Sequence, residues 1–141
     1  MKILIVDDNA RMRQMVKEIV SGLASEIYEA SDGGEAITLC GVHRPDWVLM
    51  DFRMKQMDGL RATAEIKARI PETRVIIVTQ YDDAELRAEA ARLGACAYVL
   101  KENLQELPVI LAGGGASNRS RKALNPFARV GSRNSRAESE L

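Results

Sequence analysis

Ile3-Leu4-Ile5-Val6-Asp7-Asp8-Asn9 is the stretch that decides the fold. A short, wholly apolar run suits a strand that is covered on both faces of a parallel sheet. It stops abruptly at two adjacent aspartates, and Asn9 is placed to cap a following helix. The same pattern recurs along the chain. Trp47-Val48-Leu49-Met50 runs into Asp51, Val75-Ile76-Ile77-Val78 into Thr79, and Tyr98-Val99-Leu100 into Lys101. In a parallel α/β sheet the carboxyl ends of the strands share one edge, and ligand chemistry collects there. The sequence therefore predicts that three carboxylates, one hydroxyl and one ammonium converge in space.

Between these runs the periodicity is helical. Met12, Met15, Val16, Ile19, Val20 and Leu23 form one apolar stripe after Asn9. Glu26 to Ala30 alternates like a strand and is followed by the turn Ser31-Asp32-Gly33-Gly34. Glu35 to Cys40 reads as a short helix ended near Gly41, and 47–50 as the third strand. Asp58-Gly59 opens a helix to Ile70, which Pro71 terminates. The fourth strand is 74–78. A helix over about 83–93 stops at Gly94, and Cys96 to Leu100 is the fifth strand. For the last helix two starts are open: Asn103 as cap with Glu106 as its capping-box partner, or a start near Leu107 with Pro108 at the favoured first position. The alternation predicts an α/β (βα)5 doubly wound parallel sheet, strand order 2-1-3-4-5, flavodoxin-like in topology.

The chain has 141 residues with 20 basic and 20 acidic side chains, so the overall balance says nothing about partners. Residues 1–111 carry 14 Lys/Arg and 18 Asp/Glu, whereas residues 112–141 carry 6 and 2. A globular domain over 1–112 is expected, followed by a basic, disordered tail over 113–141, rich in Gly, Ser, Asn and Arg. Cys40 and Cys96 sit in apolar surroundings and read as small buried residues, not as a disulfide. No leader is recognisable, no stretch is long and apolar enough to span a membrane, and a cytoplasmic protein is the simplest expectation. His43 reads as a surface residue in a polar loop, and Trp47 as packed beneath a helix.

Phosphoryl transfer depends mainly on positioning and electrostatics. A carboxylate can serve as nucleophile and form an aspartyl phosphate, but it and the incoming group are both anions. Mg2+ resolves the conflict, and it usually takes only one or two carboxylates and keeps several waters. Asp7 and Asp8 beside Asp51 suit that role, Lys101 offers a point charge, and Thr79 offers a donor. Singly, each residue has an ordinary reading: helix cap, turn, or surface lysine. Nothing in those readings requires all of them at the same end of four strands.

These motifs resemble the response-regulator receiver family over residues 1 to about 111. They are Ile3 to Asn9, Leu49-Met50-Asp51-Phe52-Arg53-Met54-Lys55-Gln56-Met57-Asp58-Gly59, the strand ending in Thr79, and Gly94-Ala95-Cys96-Ala97-Tyr98-Val99-Leu100-Lys101. The resemblance implies Asp7 and Asp8 for Mg2+, with Asp51 and the main-chain carbonyl of Arg53 as further ligands. It implies phosphorylation of Asp51 by a histidine kinase or phosphotransfer protein, and Thr79 and Lys101 as sensors of the phosphoryl oxygens. Tyr98 would be the aromatic that turns inward as Thr79 moves, and the readout surface would be the fourth helix, fifth strand and last helix. Such a module is not a turnover enzyme; it signals by binding a downstream protein, and a homodimer is left open.

The sequence departs from the family in places. Lys55 stands where proline is usual, Gln80 where a small residue is usual, and Glu102 where many members have proline. Arg53 and Tyr81 flank the expected pocket, where bulk would hinder the attacking water. A haloacid-dehalogenase-type phosphotransferase also uses an aspartyl phosphate. It would need its nucleophile on the first strand with a second aspartate two residues later, where Asn9 stands. A flavin site would need a phosphate loop after the first strand, which is missing. Arg119, Arg121, Lys122, Arg129, Arg133 and Arg136 could contact nucleic-acid phosphates, but the chain shows no helix-turn-helix, and nucleic-acid binding is not the expected function.

Overall fold

A computed structural model of the chain describes residues 1–54 and 58–113. The elements alternate throughout: β1 (Lys2–Val6), α1 (Ala10–Val20), β2 (Glu26–Ala30), α2 (Gly33–His43), β3 (Trp47–Asp51), α3 (Gly59–Arg69), β4 (Arg74–Thr79), α4 (Ala84–Arg92), β5 (Ala97–Leu100) and α5 (Glu106–Gly113), with a 3-10 turn over Lys101–Asn103 before α5. All strand pairs are parallel, in the order β2-β1-β3-β4-β5. The topology read from the sequence is the one observed.

Strands β1, β3, β4 and β5 are covered on both faces, with successive residues dividing between them, whereas the edge strand β2 leaves Glu26 and Glu29 exposed. Leu4, Val6, Val48, Met50, Val75, Ile77 and Tyr98 face a layer holding Ala36 and Cys40 of α2, Ala62 and Ile66 of α3, and Ala90 of α4. Ile3, Ile5, Trp47, Leu49, Ile76, Val78, Ala97 and Val99 face Val16 and Val20 of α1 and Leu107 and Leu111 of α5. Trp47 is fully covered there, as its place at the start of an apolar run suggests.

Side-chain caps start the helices where the sequence places them. Asn9, Asp32, Asp58 and Asp83 each accept a backbone N–H from the residue three positions on, satisfying a donor that the first turn leaves unpaired. Gly94 adopts φ 111° just beyond α4, the conformation for which glycine is favoured at a helix end.

Three local expectations need correction. Gly41 does not end α2, which continues to His43 and closes at Arg44 in the left-handed region (φ 50°), with the Arg44 N–H donating to the Cys40 carbonyl at 2.9 Å. The burial of Ala36 and Cys40 against the sheet outweighs the ~1 kcal/mol that a glycine costs inside a helix. His43 is consequently not in a loop; its ring stacks on Tyr28 with centroids 3.9 Å apart. The last helix starts at Glu106, so Pro108 lies in its first turn, where the missing N–H would have no intrahelical partner. Cys40 is buried and Cys96 half-buried, both as free thiols.

Among the described residues no helix is long and apolar enough to cross a membrane. Lys55 and Met57 of the loop after β3, and the expected basic tail beyond Gly113, lie outside the described residues.

Candidate functional site

Asp7 and Asp8 follow the last residue of β1. Asp7 is held from several directions. Its N–H donates to the Ala30 carbonyl at 3.1 Å, and its Oδ1 accepts the Asn9 N–H at 2.8 Å. Arg13, one turn into α1, donates from Nη1 to the Asp7 carbonyl at 2.6 Å and from Nε to Glu29 of β2 at 2.9 Å. The Arg13 hydrogen bond, helped by Lys17, holds the Glu29 carboxyl below the usual range despite partial burial. Arg13 thus ties the β1–α1 turn to the edge strand and fixes the main chain that carries the two aspartates.

Asp51 is the last residue of β3, not the first beyond it, and is 6% exposed. Lys101 Nζ bridges the two buried carboxylates, 3.0 Å from Asp7 Oδ2 and 3.1 Å from Asp51 Oδ1. Burial pushes the Asp51 carboxyl up to about 6, the negative charge of Asp7 adds to the shift, and Lys101 opposes it. Burial disfavours the Lys101 ammonium, but its hydrogen bond to Asp7 and the charges of Asp51 and Asp7 outweigh this and hold it above its ordinary range. Carboxylate oxygens of Asp7, Asp8 and Asp51 lie within 4.8 Å of one another. Asp8 is exposed while the other two are buried, so the cluster opens to solvent on one side. Two or three carboxylate oxygens with room for waters is a donor set that fits Mg2+.

Gly59 sets how closely α3 approaches this edge. A Cβ there would lie 2.0 Å from the Asp51 carbonyl oxygen, and the Gly59 N–H donates to the Phe52 carbonyl at 2.8 Å. Only a residue without a side chain permits this contact.

Thr79 ends β4, one residue past Val78, which pairs in register with Asp51. Its Oγ1 accepts the Tyr81 N–H at 3.2 Å. The Tyr81 carbonyl accepts from the Tyr98 hydroxyl at 2.5 Å. Tyr98 is 2% exposed, so its ring is turned inward, and burial holds its hydroxyl above the usual phenol range. On the other side of the β4–α4 loop, the Arg53 guanidinium lies 5.2 Å from the centroid of the Tyr81 ring. That ring meets Phe52 edge-on at 6.4 Å. Tyr81 therefore links the loop after Asp51 to the pair Thr79 and Tyr98. Gln80 is exposed.

A family model for the response regulator receiver domain matches residues 3–112. The chain belongs to the response regulator receiver family. Regulatory protein AtoC of Escherichia coli is 40% identical to this receiver over 111 residues, 78% of this chain and 24% of that protein. Chemotaxis protein CheY of Bacillus subtilis is 37% identical over 101 residues, 71% of this chain and 84% of that protein. Among solved structures, a BeF3-activated DrrB receiver domain superposes with a TM-score of 0.72 at 27% identity, covering 79% of this chain and 93% of that one. The receiver spans a quarter of AtoC and about half the length of several other regulators that it matches.

The structure brings Asp7, Asp8, Asp51 and Lys101 together and places Thr79 at the same edge of β4, while Tyr98 lies further in on β5, paired with Ile77. Two contributors escaped the sequence reading. Arg13 sits on the polar side of a helix whose apolar stripe drew attention, and Arg87 of α4, whose guanidinium lies 4.3 Å from the centroid of the Tyr98 ring, looks like any surface charge. Neither has a signal in spacing alone, because each acts through a contact with a distant strand.

Proposed function

We propose that this receiver accepts a phosphoryl group on Asp51 and signals through a phosphorylation-dependent protein contact. The observation that carries the reading is the Lys101 bridge between Asp7 and Asp51 beside an acidic, solvent-open cluster. It supplies a buried carboxylate nucleophile with fixed positive charge in place. An Asp51 oxygen attacks phosphorus of a phosphohistidine on a histidine kinase or phosphotransfer protein. The O–P bond forms, the N–P bond breaks, and the electron pair returns to the imidazole. Hydrolysis later returns Asp51 to the carboxylate.

Asp7, Asp8, Asp51 and the main-chain carbonyl of Arg53 would hold Mg2+, which supplies charge neutralisation between carboxylate and phosphoryl oxygens. Lys101 then exchanges its ion pair with Asp51 for a phosphoryl oxygen. Thr79 already accepts the Tyr81 N–H, which leaves its own proton to donate. Its movement pulls on Tyr81 and so on Tyr98, shifting the surface formed by α4, β5 and α5 between two states. The receiver is a signalling module with self-catalysed phosphoryl transfer, acting in the cytoplasm through an upstream kinase and a downstream protein. Residues 1–112 form that module and 113–141 a separate basic tail.

The test is a calorimetric titration with Mg2+, then beryllofluoride, which mimics an aspartyl phosphate. Wild type binds both, Asp8→Asn binds Mg2+ more weakly, and Asp51→Asn loses beryllofluoride. Equal beryllofluoride binding by Asp51→Asn would refute the assignment.

A further inference from the structure

Tyr98 is 2% exposed with its ring turned inward, and its hydroxyl is held at the tip of the ring by the Tyr81 carbonyl at 2.5 Å and by the Asp83 backbone. What lies against the face of the ring is Arg87, with its guanidinium carbon 4.3 Å from the ring centroid. A guanidinium over an aromatic face is attractive, and more so when water is excluded. The Arg87 side chain is 17% exposed, and Nη2 is 3.1 Å from Asp82 Oδ1, just ahead of α4. Glu106, at the start of α5, lies close enough that Arg87 opposes the upward push that burial gives its carboxyl. One side chain therefore touches or faces charge on the loop before α4, on β5 and on α5, the three segments that frame the proposed readout surface.

We propose that Arg87 is a positioning residue for Tyr98: stacked on the ring and tethered to Asp82, it keeps the phenol inward before phosphorylation. The inference rests on the reading of Tyr98 as the switch aromatic. It gives that switch a chain-specific bias, because the face of the ring is held by Arg87 from α4 while its hydroxyl is held by backbone of the loop, at Tyr81 and Asp83. The movement of Thr79 and Tyr81 on phosphorylation then acts on a ring whose inward position Arg87 favours from the start.

The test uses the full chain labelled with 3-fluorotyrosine, with the Tyr98 signal assigned by Tyr98→Phe and read by 19F NMR against a dissolved paramagnetic relaxation agent. In the presence of chelator, the wild-type Tyr98 signal is expected to be protected, and Arg87→Ala is expected to broaden it several-fold more. Arg87→Lys, which keeps the charge without the planar face, stays closer to Arg87→Ala than to wild type. Asp82→Ala, which removes the tether but leaves the guanidinium, falls between. A Tyr98 signal as protected in Arg87→Ala as in wild type overturns the proposal. If Arg87→Ala fails to fold, shown by collapse of the Tyr28 signal as well, Asp82→Ala decides: unchanged protection there overturns it. Addition of Mg2+ and beryllofluoride restores protection in Arg87→Ala. If no variant responds to beryllofluoride, the phosphoryl reading of Asp51 fails while the chelator arm still decides the role of Arg87.

Discussion

Lys101 Nζ lies 3.1 Å from Asp51 Oδ1, and the same ammonium lies 3.0 Å from Asp7 Oδ2. One cation thus serves two buried carboxylates, which leaves the site short of positive charge. Replacing Lys101 by Met should remove that compensation. We expect a loss of roughly 3 kcal/mol at neutral pH in chelator, since breaking a buried pair strands its partners. Mg2+ should recover part of it. Urea unfolding with and without Mg2+ checks this; a variant as stable as wild type in chelator contradicts it.

Asp51 itself is destabilising in the metal-free protein. Its carboxyl is raised from 3.8 to about 6 in the folded state, so the folded chain holds that proton more tightly than the unfolded one. Its contribution to stability is therefore full below the ordinary carboxylate range, falls as pH rises through that window, and is lost above about 6. Asp51→Asn removes the cost of burying the charge and the repulsion with Asp7, and should stabilise the metal-free protein by about 1–3 kcal/mol at neutral pH. The advantage should shrink as pH falls toward the ordinary carboxylate value. Thermal unfolding against pH in chelator reads it directly, and a pH-independent difference would count against the electrostatic cause.

Gly59→Ala places a methyl group where the Asp51 carbonyl already sits. Backbone must move, and we expect about 2–4 kcal/mol of destabilisation together with weakened Mg2+ binding, because the displaced residue is Asp51. Unimpaired Mg2+ affinity in a folded Gly59→Ala protein would separate α3 packing from site geometry.

The Arg53 guanidinium lies 5.2 Å from the centroid of the Tyr81 ring, and the two residues come two positions after Asp51 and Thr79. If they hinder the attacking water, Tyr81→Ala and Arg53→Ala should lose the phosphoryl group several-fold faster than wild type. Decay of phosphorylated protein after removal of the donor measures this, and unchanged or slower decay rejects the shielding role.

Most of this architecture is visible in the sequence because a parallel sheet advertises itself: strands buried on both faces must be wholly apolar, and the polar residues that end them fall on one edge. Asp7, Asp8, Asp51 and Lys101 could be placed together for that reason. Gly41 misled because helix termination by glycine competes with tertiary burial, and here Ala36 and Cys40 win. Pro108 was ambiguous because its cost depends on where the first turn begins, which the 3-10 turn at Lys101–Asn103 decides. Arg87 was invisible because its meaning lies in the ring it covers, eleven residues away in sequence and on a different element. The inward position of Tyr98 belongs to the same class: it depends on packing, not on pattern.

The most direct measurement is the intact mass of the full chain after incubation with a small acyl phosphate and Mg2+, run beside Asp51→Ala and a chelator control. The account predicts a gain of a single phosphoryl group in the wild type alone, abolished by chelator. A gain of equal size in Asp51→Ala, or none in wild-type protein shown to bind Mg2+, would contradict it.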